Sequence, residues 1–247
     1  MIFTSYFTYG LDPQRMVQVA NDSYKYLKPW YDSMLSLGLE GRVFHDSLSS
    51  DFISKYETDK IKFVKVPPGK YCACDYRWQA YAKWVNENKP DWLLFTDCCD
   101  VVIVQDPFKF IRDPDKLYVG VEDGAGHPSN KIGENRWMGK LFAGAAKKLS
   151  ASYQAIKNED VLNCGIVGGH LSQASRFLEL MDAMVNDVDP TEDYLNSVKA
   201  QVRTIDMACT NVICRNEYFK GRIVSGYPLH NKYKRNDVAM DVYVRHK

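Results

Sequence analysis

An α/β fold, one domain around a mainly parallel sheet flanked by helices, is predicted by three features of this 247-residue sequence. Short β-prone runs alternate with helical patterns, which is how helices come to cover both faces of a sheet. One of those runs, Trp92–Thr96, is nearly all apolar, as expected of a strand buried on both sides. Internal repeats, low-complexity segments and long linkers are missing, so residues 1–247 read as a single unit large enough to bury a sizeable core.

The elements follow in order. Ile2–Tyr6 is a β-rich run. Asp12-Pro13 offers an N-cap and an N1 proline for a first helix, and Pro29 marks a second helical start. Arg42–His45 and Ile61–Val66 are short β-prone segments. Residues 75–88 place Trp78, Tyr81, Ala82 and Val85 at i, i+3, i+4 and i+7, an amphipathic helix that must stop before Lys89-Pro90. Trp92–Thr96 and Leu117–Val121 are strands. Ala174, Phe177, Leu178, Met181, Met184 and Val185 fall on one helical stripe and read as core.

Composition narrows the class. Apolar and charged fractions of 45% and 26% are ordinary for a globular enzyme. A formal net charge of +1 gives no global pull toward nucleic acid or acidic membranes. No run approaches the roughly 18 apolar residues of a membrane span, and MIFTSYFTYG lacks the pattern of a signal peptide. The cysteines at 72, 74, 98, 99, 164, 209 and 214 contain no CxxC pair, which argues against zinc-ribbon and thioredoxin motifs. Buried, reduced thiols in a cytoplasmic protein fit this pattern best. The segment 220–247 carries seven basic residues against Asp237 and Asp241. It is either a solvated tail or a surface that contacts phosphate groups.

In open α/β sheets ligands sit beyond the carboxyl ends of the strands. Asp97 and Asp100, just after the apolar run, lie at that place. Carboxylates brought together there repel unless a cation or a proton lies between them, and Mn2+ or Mg2+ would leave positions for diphosphate oxygens. The plain alternative is a pair of solvated loop aspartates or caps.

The run LLFTDCCDVVI resembles the Asp-x-x-Asp variant of the "DxD" signature of GT-A glycosyltransferases, and is similar to the "FTDxYD" segment of procollagen lysyl hydroxylase glycosyltransferase domains. Three more segments follow in the family's order. VLNCGIVGGH (161–170) resembles the "LNSG" segment of the donor–acceptor cleft, IDMACTNVI (205–213) a later acidic helix start, and SGYPLHNKYK (225–234) the C-terminal histidine motif. Cys98-Cys99 and the residues after His230 depart from the patterns of relatives, including the glycogenin-like one.

The resemblance implies a Rossmann-like GT-A domain and transfer of a sugar from a nucleotide-sugar donor, UDP-linked by preference, to a hydroxyl of a glycan or glycoconjugate. A nucleic-acid acceptor is a minor option. It implies a metal held by Asp97, Asp100 and His230, with Asp97 also on the donor ribose, and Lys232 on the diphosphate together with Arg77. Lys234 is an alternative to Lys232, and a surface ion pair is the alternative for Arg77. The run Thr4-Ser5-Tyr6-Phe7-Thr8-Tyr9 would form the base pocket, chiefly through Thr4, Tyr6 and Tyr9, and the basic segment 220–247 would close the donor site. Asn163 and Gly165 would lie near the donor sugar, and Asp206, with Asp160 and Asp123 behind it, would be the acceptor-side carboxylate. Two readings compete. A sugar-phosphate nucleotidyltransferase lacks its glycine-rich N-terminal loop here. A non-catalytic sugar- or nucleotide-binding module would be expected to have lost the metal ligands.

Overall fold

The structure is a computed structural model, and it describes residues 1–12, 17–122, 130–143, 147–187, 204–232 and 241–246. Its strands are β1 (Ile2–Tyr6), β2 (Gly41–His45), β3 (Ile61–Lys65), β4 (Trp92–Thr96), β5 (Val101–Ile103), β6 (Leu117–Val121), β7 (Leu162–His170), β8 (Ile223–Ser225), β9 (His230–Lys232) and β10 (Val244–His246). The α-helices are α1 (Tyr24–Leu37), α2 (Ser50–Tyr56), α3 (Ala73–Asn88), α4 (Arg136–Ala143), α5 (Lys147–Ile156), α6 (Leu171–Asp187) and α7 (Asp206–Ile213). The predicted α/β class holds: seven strands form the central sheet in the order β3-β2-β1-β4-β7-β6-β8.

The sheet places the site. Strands β3, β2, β1 and β4 run parallel, so their carboxyl ends share one edge. Strand β7 is antiparallel to both β4 and β6, with Thr96 opposite Ile166. The start of β7 and the end of β6 therefore meet that same edge. Asp97, Asn163, Gly165 and Glu122 arrive there from sequence positions far apart. The close fit of β4 and β7 rests on Gly168, where a Cβ would lie 2.9 Å from the Leu94 Cα.

Side chains alternate across the sheet, as strand geometry requires. Phe3, Phe44, Leu93 and Phe95 face α3 and α6, packing with Trp78, Tyr81 and Phe177. Ile2, Val43 and Leu94 face the other way onto Leu27, Trp30 and Met34 of α1. The helical stripe of α6 is buried as its periodicity predicts at Ala174, Phe177, Leu178, Met181 and Val185. Helix α3 stops at Lys89, which adopts a left-handed φ of 47° before Pro90.

Three details differ from the sequence reading. Pro29 does not begin a helix but sits inside α1. Its missing N–H costs one bond, to the carbonyl of Lys25, and the burial of Leu27, Trp30, Tyr31 and Met34 outweighs it. The helix expected from Pro13 falls on residues 13–16, outside the described residues. The glycine-rich 162–170 segment, which the resemblance puts at the donor–acceptor cleft, is a nine-residue strand almost wholly buried, with only its start at the edge where the site lies. A second, three-stranded sheet in the order β5-β10-β9 was not foreseen. In it β10 runs antiparallel to β5, with His246 opposite Val101, and parallel to β9.

Candidate metal and donor site

Asp97 follows β4 directly, and its N–H donates to the Gly165 carbonyl at 3.0 Å. This bond to the start of β7 fixes where the carboxylate emerges. Its Oδ1 accepts from the Arg77 guanidinium, and its Oδ2 lies 3.2 Å from His246 Nε2. Asp100 Oδ1 is 3.8 Å from the same nitrogen. One ligand atom from each of Asp97, Asp100 and His246 lies within 4.8 Å of the others. Two carboxylates and an imidazole so close form an oxygen- and nitrogen-donor set suited to Mn2+ or Mg2+. Gly165 keeps the space: a Cβ there would collide with His246 Cε1 and lie 2.6 Å from Asp97 Oδ2.

The histidine is not the one expected. His230 is buried in β9, accepts from the Val121 N–H at 3.4 Å, and its ring centroid stands 6.0 Å from that of His246. His246 reaches the carboxylates because β10 pairs with β5, the strand that begins one residue after Asp100. A signal was present in the sequence: Val242, Val244 and His246 alternate with polar or exposed neighbours, the period of a half-buried strand. The surrounding basic residues masked it.

Behind the carboxylates lies a second, fully buried network. Arg77 bonds Asp97 through one amino group and Asp206 Oδ2 through the other, the latter at 3.0 Å. Asp206 also receives the Trp78 indole N–H at 3.5 Å. Asp75, two residues before Arg77, accepts from the Ile205 and Asp206 N–H groups at 2.9–3.0 Å, so it caps the start of α7, and the Thr204 hydroxyl stands 2.8 Å from both carboxylates, with one proton to share between them. Burial, and then the Asp206 carboxylate, push the Asp75 carboxyl up to about 7. Burial would raise Asp97 as well, but the Arg77 guanidinium and then His246 hold it well below the usual carboxylate range. Neither Asp75 nor Thr204 was singled out from sequence, since no local pattern links residues about 130 positions apart.

Two cavities meet at Asp97 and Arg77. The first lies over the end of β1 and is lined by Ser5, Phe7, Tyr9, Tyr26 and Asp12, together with Asp100. The second, of about 390 Å³, is bounded by Asp206, Asn163, Glu122, Trp137 and His246. Of the expected base-pocket residues, Tyr9 lines the first cavity. Thr4 and Tyr6 instead serve the core: both are fully buried, and the Tyr6 hydroxyl donates to the Ala20 carbonyl and accepts from the Ser23 N–H. Strand alternation sends Ser5 and Phe7 to the cavity in their place.

Asn163 accepts from the Gly165 N–H at 2.7 Å and donates to Glu122, which holds both at the cavity wall. Asp160, expected on the acceptor side, is instead 61% exposed and paired with Lys131 at 2.9 Å, because it precedes β7 and points to the surface. Asp123 and Lys234, and the side chain of Lys232, lie outside the described residues. Lys220 and Arg222 sit near Glu217 and Asp115, away from both cavities.

This sheet order, with a mixed strand pair at the site, is the GT-A architecture. Among solved structures the chain is similar over its whole length to the galactosyltransferase LgtC in complex with donor and acceptor sugar analogs, at a TM-score of 0.52 and 14% identity, covering 86% of that chain. An active-site mutant of LgtC matches with a TM-score of 0.51 at the same identity and coverage. No family model and no curated protein matches the chain. At this identity the likeness defines the fold.

Proposed function

We propose that the chain is a metal-dependent glycosyltransferase that moves a sugar from a nucleotide-sugar donor, UDP-linked by preference, to a hydroxyl of a glycan or glycoconjugate. One observation carries the reading: Asp97, Asp100 and His246 converge at the carboxyl end of β4, between two cavities, on a fold shared with LgtC. LgtC was solved with donor and acceptor sugar analogs, so two adjacent cavities suit a donor and an acceptor.

In the transfer, the bond from the sugar C1 to the diphosphate oxygen breaks and its electron pair stays on that oxygen. A bond forms from C1 to the acceptor oxygen, whose proton is taken up by the departing diphosphate. A divalent ion such as Mn2+ held by Asp97, Asp100 and His246 would supply Lewis-acid stabilisation of the leaving diphosphate. The protein's own groups orient the parts. Tyr9 and Tyr26 offer rings beside the first cavity on which a base can stack. Arg77 fixes Asp97 through one ion pair, which frees Asp97 Oδ2 to face His246 and Asp100. Asp206 Oδ2 accepts from the Arg77 guanidinium, so Asp206 acts by positioning Arg77.

The decisive experiment is hydrolysis of a panel of UDP-sugars by the full chain with Mn2+ and with EDTA. Metal-dependent release of UDP is expected, and Asp100→Ala should abolish it. Undiminished hydrolysis by that variant would overturn the metal assignment. A protein stabilised by nucleoside triphosphates but not by UDP-sugars would point to a nucleotidyltransferase, and one that binds UDP-sugar without turnover to a binding module.

A further inference from the structure

Strand β3 ends the central sheet and pairs with β2 on one side only. The Gly41 N–H donates to the Lys60 carbonyl and the Val66 N–H to the His45 carbonyl, so the backbone groups of Ile61, Phe63 and Lys65 turn outward. The protein itself closes the first part of that edge. The Ile61 N–H donates to Thr58 Oγ1 at 2.9 Å, and the Ile61 carbonyl accepts from the Thr58 N–H at 3.0 Å. The Phe63 N–H donates to Glu57 Oε2 at 3.2 Å. Among the described residues, the Phe63 carbonyl and the N–H and carbonyl of Lys65 have no such partner. The later half of the edge is therefore open to another strand.

Beside that open stretch runs a groove of about 310 Å³ between β3 and α3, which shares no lining residue with the two cavities at Asp97. Its apolar part comes from Val64, Val66, Ala80 and Trp84. Val64 and Val66 face α3, whereas Ile61 and Phe63 pack on the opposite side of the sheet. Two exposed lysines, Lys65 and Lys83, line the groove against one acid, Glu87, and among the described residues neither lysine has an ion pair. The other acid close by, Asp182, accepts from Gln79 at 2.8 Å and from Asn186 at 2.9 Å. The groove thus joins an apolar wall, uncommitted positive charge and unpaired strand backbone.

A strand added along β3 forms its ladder bonds at Phe63 and Lys65 and turns alternate side chains toward α3, over the groove. Its carboxylates complement Lys65 and Lys83, whereas a second copy of this chain, paired about a two-fold axis, brings Lys65 against Lys65. We propose that this edge binds an extended acidic peptide segment of a partner protein by strand addition, with an apolar side chain in the groove and a carboxylate between Lys65 and Lys83. The site stands apart from the glycosyltransferase reading and is tested without it.

The test is display selection of random seven-residue peptides on the full chain, followed by amide NMR and calorimetry with the selected peptide made synthetically. Selected sequences should pair Asp or Glu with apolar residues, and the Lys65 amide should be among the signals that shift most. Lys83→Glu should weaken binding roughly fivefold to tenfold. Lys65→Gln should cost about threefold, but Lys65→Pro, which removes the outward N–H and leaves the β2 ladder intact, about tenfold or more. Melting temperatures establish that each variant folds. Selection of no peptide, or of neutral or basic ones, would overturn the proposal, as would wild-type affinity in Lys65→Pro. Sedimentation that shows self-association abolished by Lys65→Pro would give the edge to a second copy and overturn it as well.

Discussion

Asp97 divides two clusters of opposite character. On its Oδ1 side, Arg77, Asp206, Asp75 and Thr204 form a buried network in which donors face acceptors and one guanidinium serves two carboxylates. On its Oδ2 side, Asp97 and Asp100 meet one imidazole, and two like charges converge. In the first arrangement a cation of the protein itself stands between the carboxylates. The second gains from an added cation. A buried network with its own cation holds geometry; a cluster of like charges at a cavity wall is suited to binding one.

The largest effect that would test this contrast is Arg77→Ala. It leaves Asp97 and Asp206 facing each other without their shared cation, and loss of one partner from a buried ion pair costs about 3–5 kcal/mol. Chemical denaturation should show that loss with or without Mn2+. Near-normal stability would mean that the inner network does not hold the site. Asp100→Asn should do the reverse. It removes charge repulsion, so the metal-free protein should melt no lower than wild type, while Mn2+-dependent turnover falls about 100-fold or more.

Replacing the two histidines separately sharpens the boundary. His246→Gln should weaken Mn2+ by at least the roughly 10–100-fold that even outer partners of a metal contribute. His230→Gln should cost mainly stability, since His230 sits in the core beside Val121; titration with Mn2+ followed by paramagnetic broadening distinguishes them. The smallest effect concerns pH. Asp75 has a folded-state pKa near 7 against an ordinary value of 3.8, so the folded protein binds the extra proton between those limits. Its contribution to stability is therefore present at low pH and is lost as pH rises from about 4 to 7. Asp75→Asn should flatten that part of the melting-temperature profile, and an unchanged slope would remove Asp75 as its source.

Much of the fold was legible because periodicity is a local signal. The apolar run of β4, the stripe of α6 and the stop of α3 before Pro90 each depend on residues a few positions apart. The carboxylate pair was legible for the same reason: strand end and turn lie within four residues. What failed was whatever depended on distant pairing. The alternation of Val242, Val244 and His246 marks a strand, but that this strand brings His246 rather than His230 to the carboxylates follows from β10 lying between β5 and β9. Asp160 read as an acceptor-side acid until its surface partner Lys131 was visible, and within the run from Thr4 to Tyr9 strand alternation gives the pocket to Ser5 and Phe7 and the core to Thr4 and Tyr6. The specific likeness to lysyl hydroxylase domains stays with the sequence motifs; the architecture is shared with LgtC.

The docking of β10 has one more consequence. The strand that bridges the small sheet also delivers the imidazole, so completion of that sheet and assembly of the candidate metal site arrive together. A chain with β1 to β9 in place but β10 undocked presents two carboxylates and no nitrogen ligand from His246. The fold thereby carries its own assembly check, in which the third ligand is present only once the last described strand has found its neighbours.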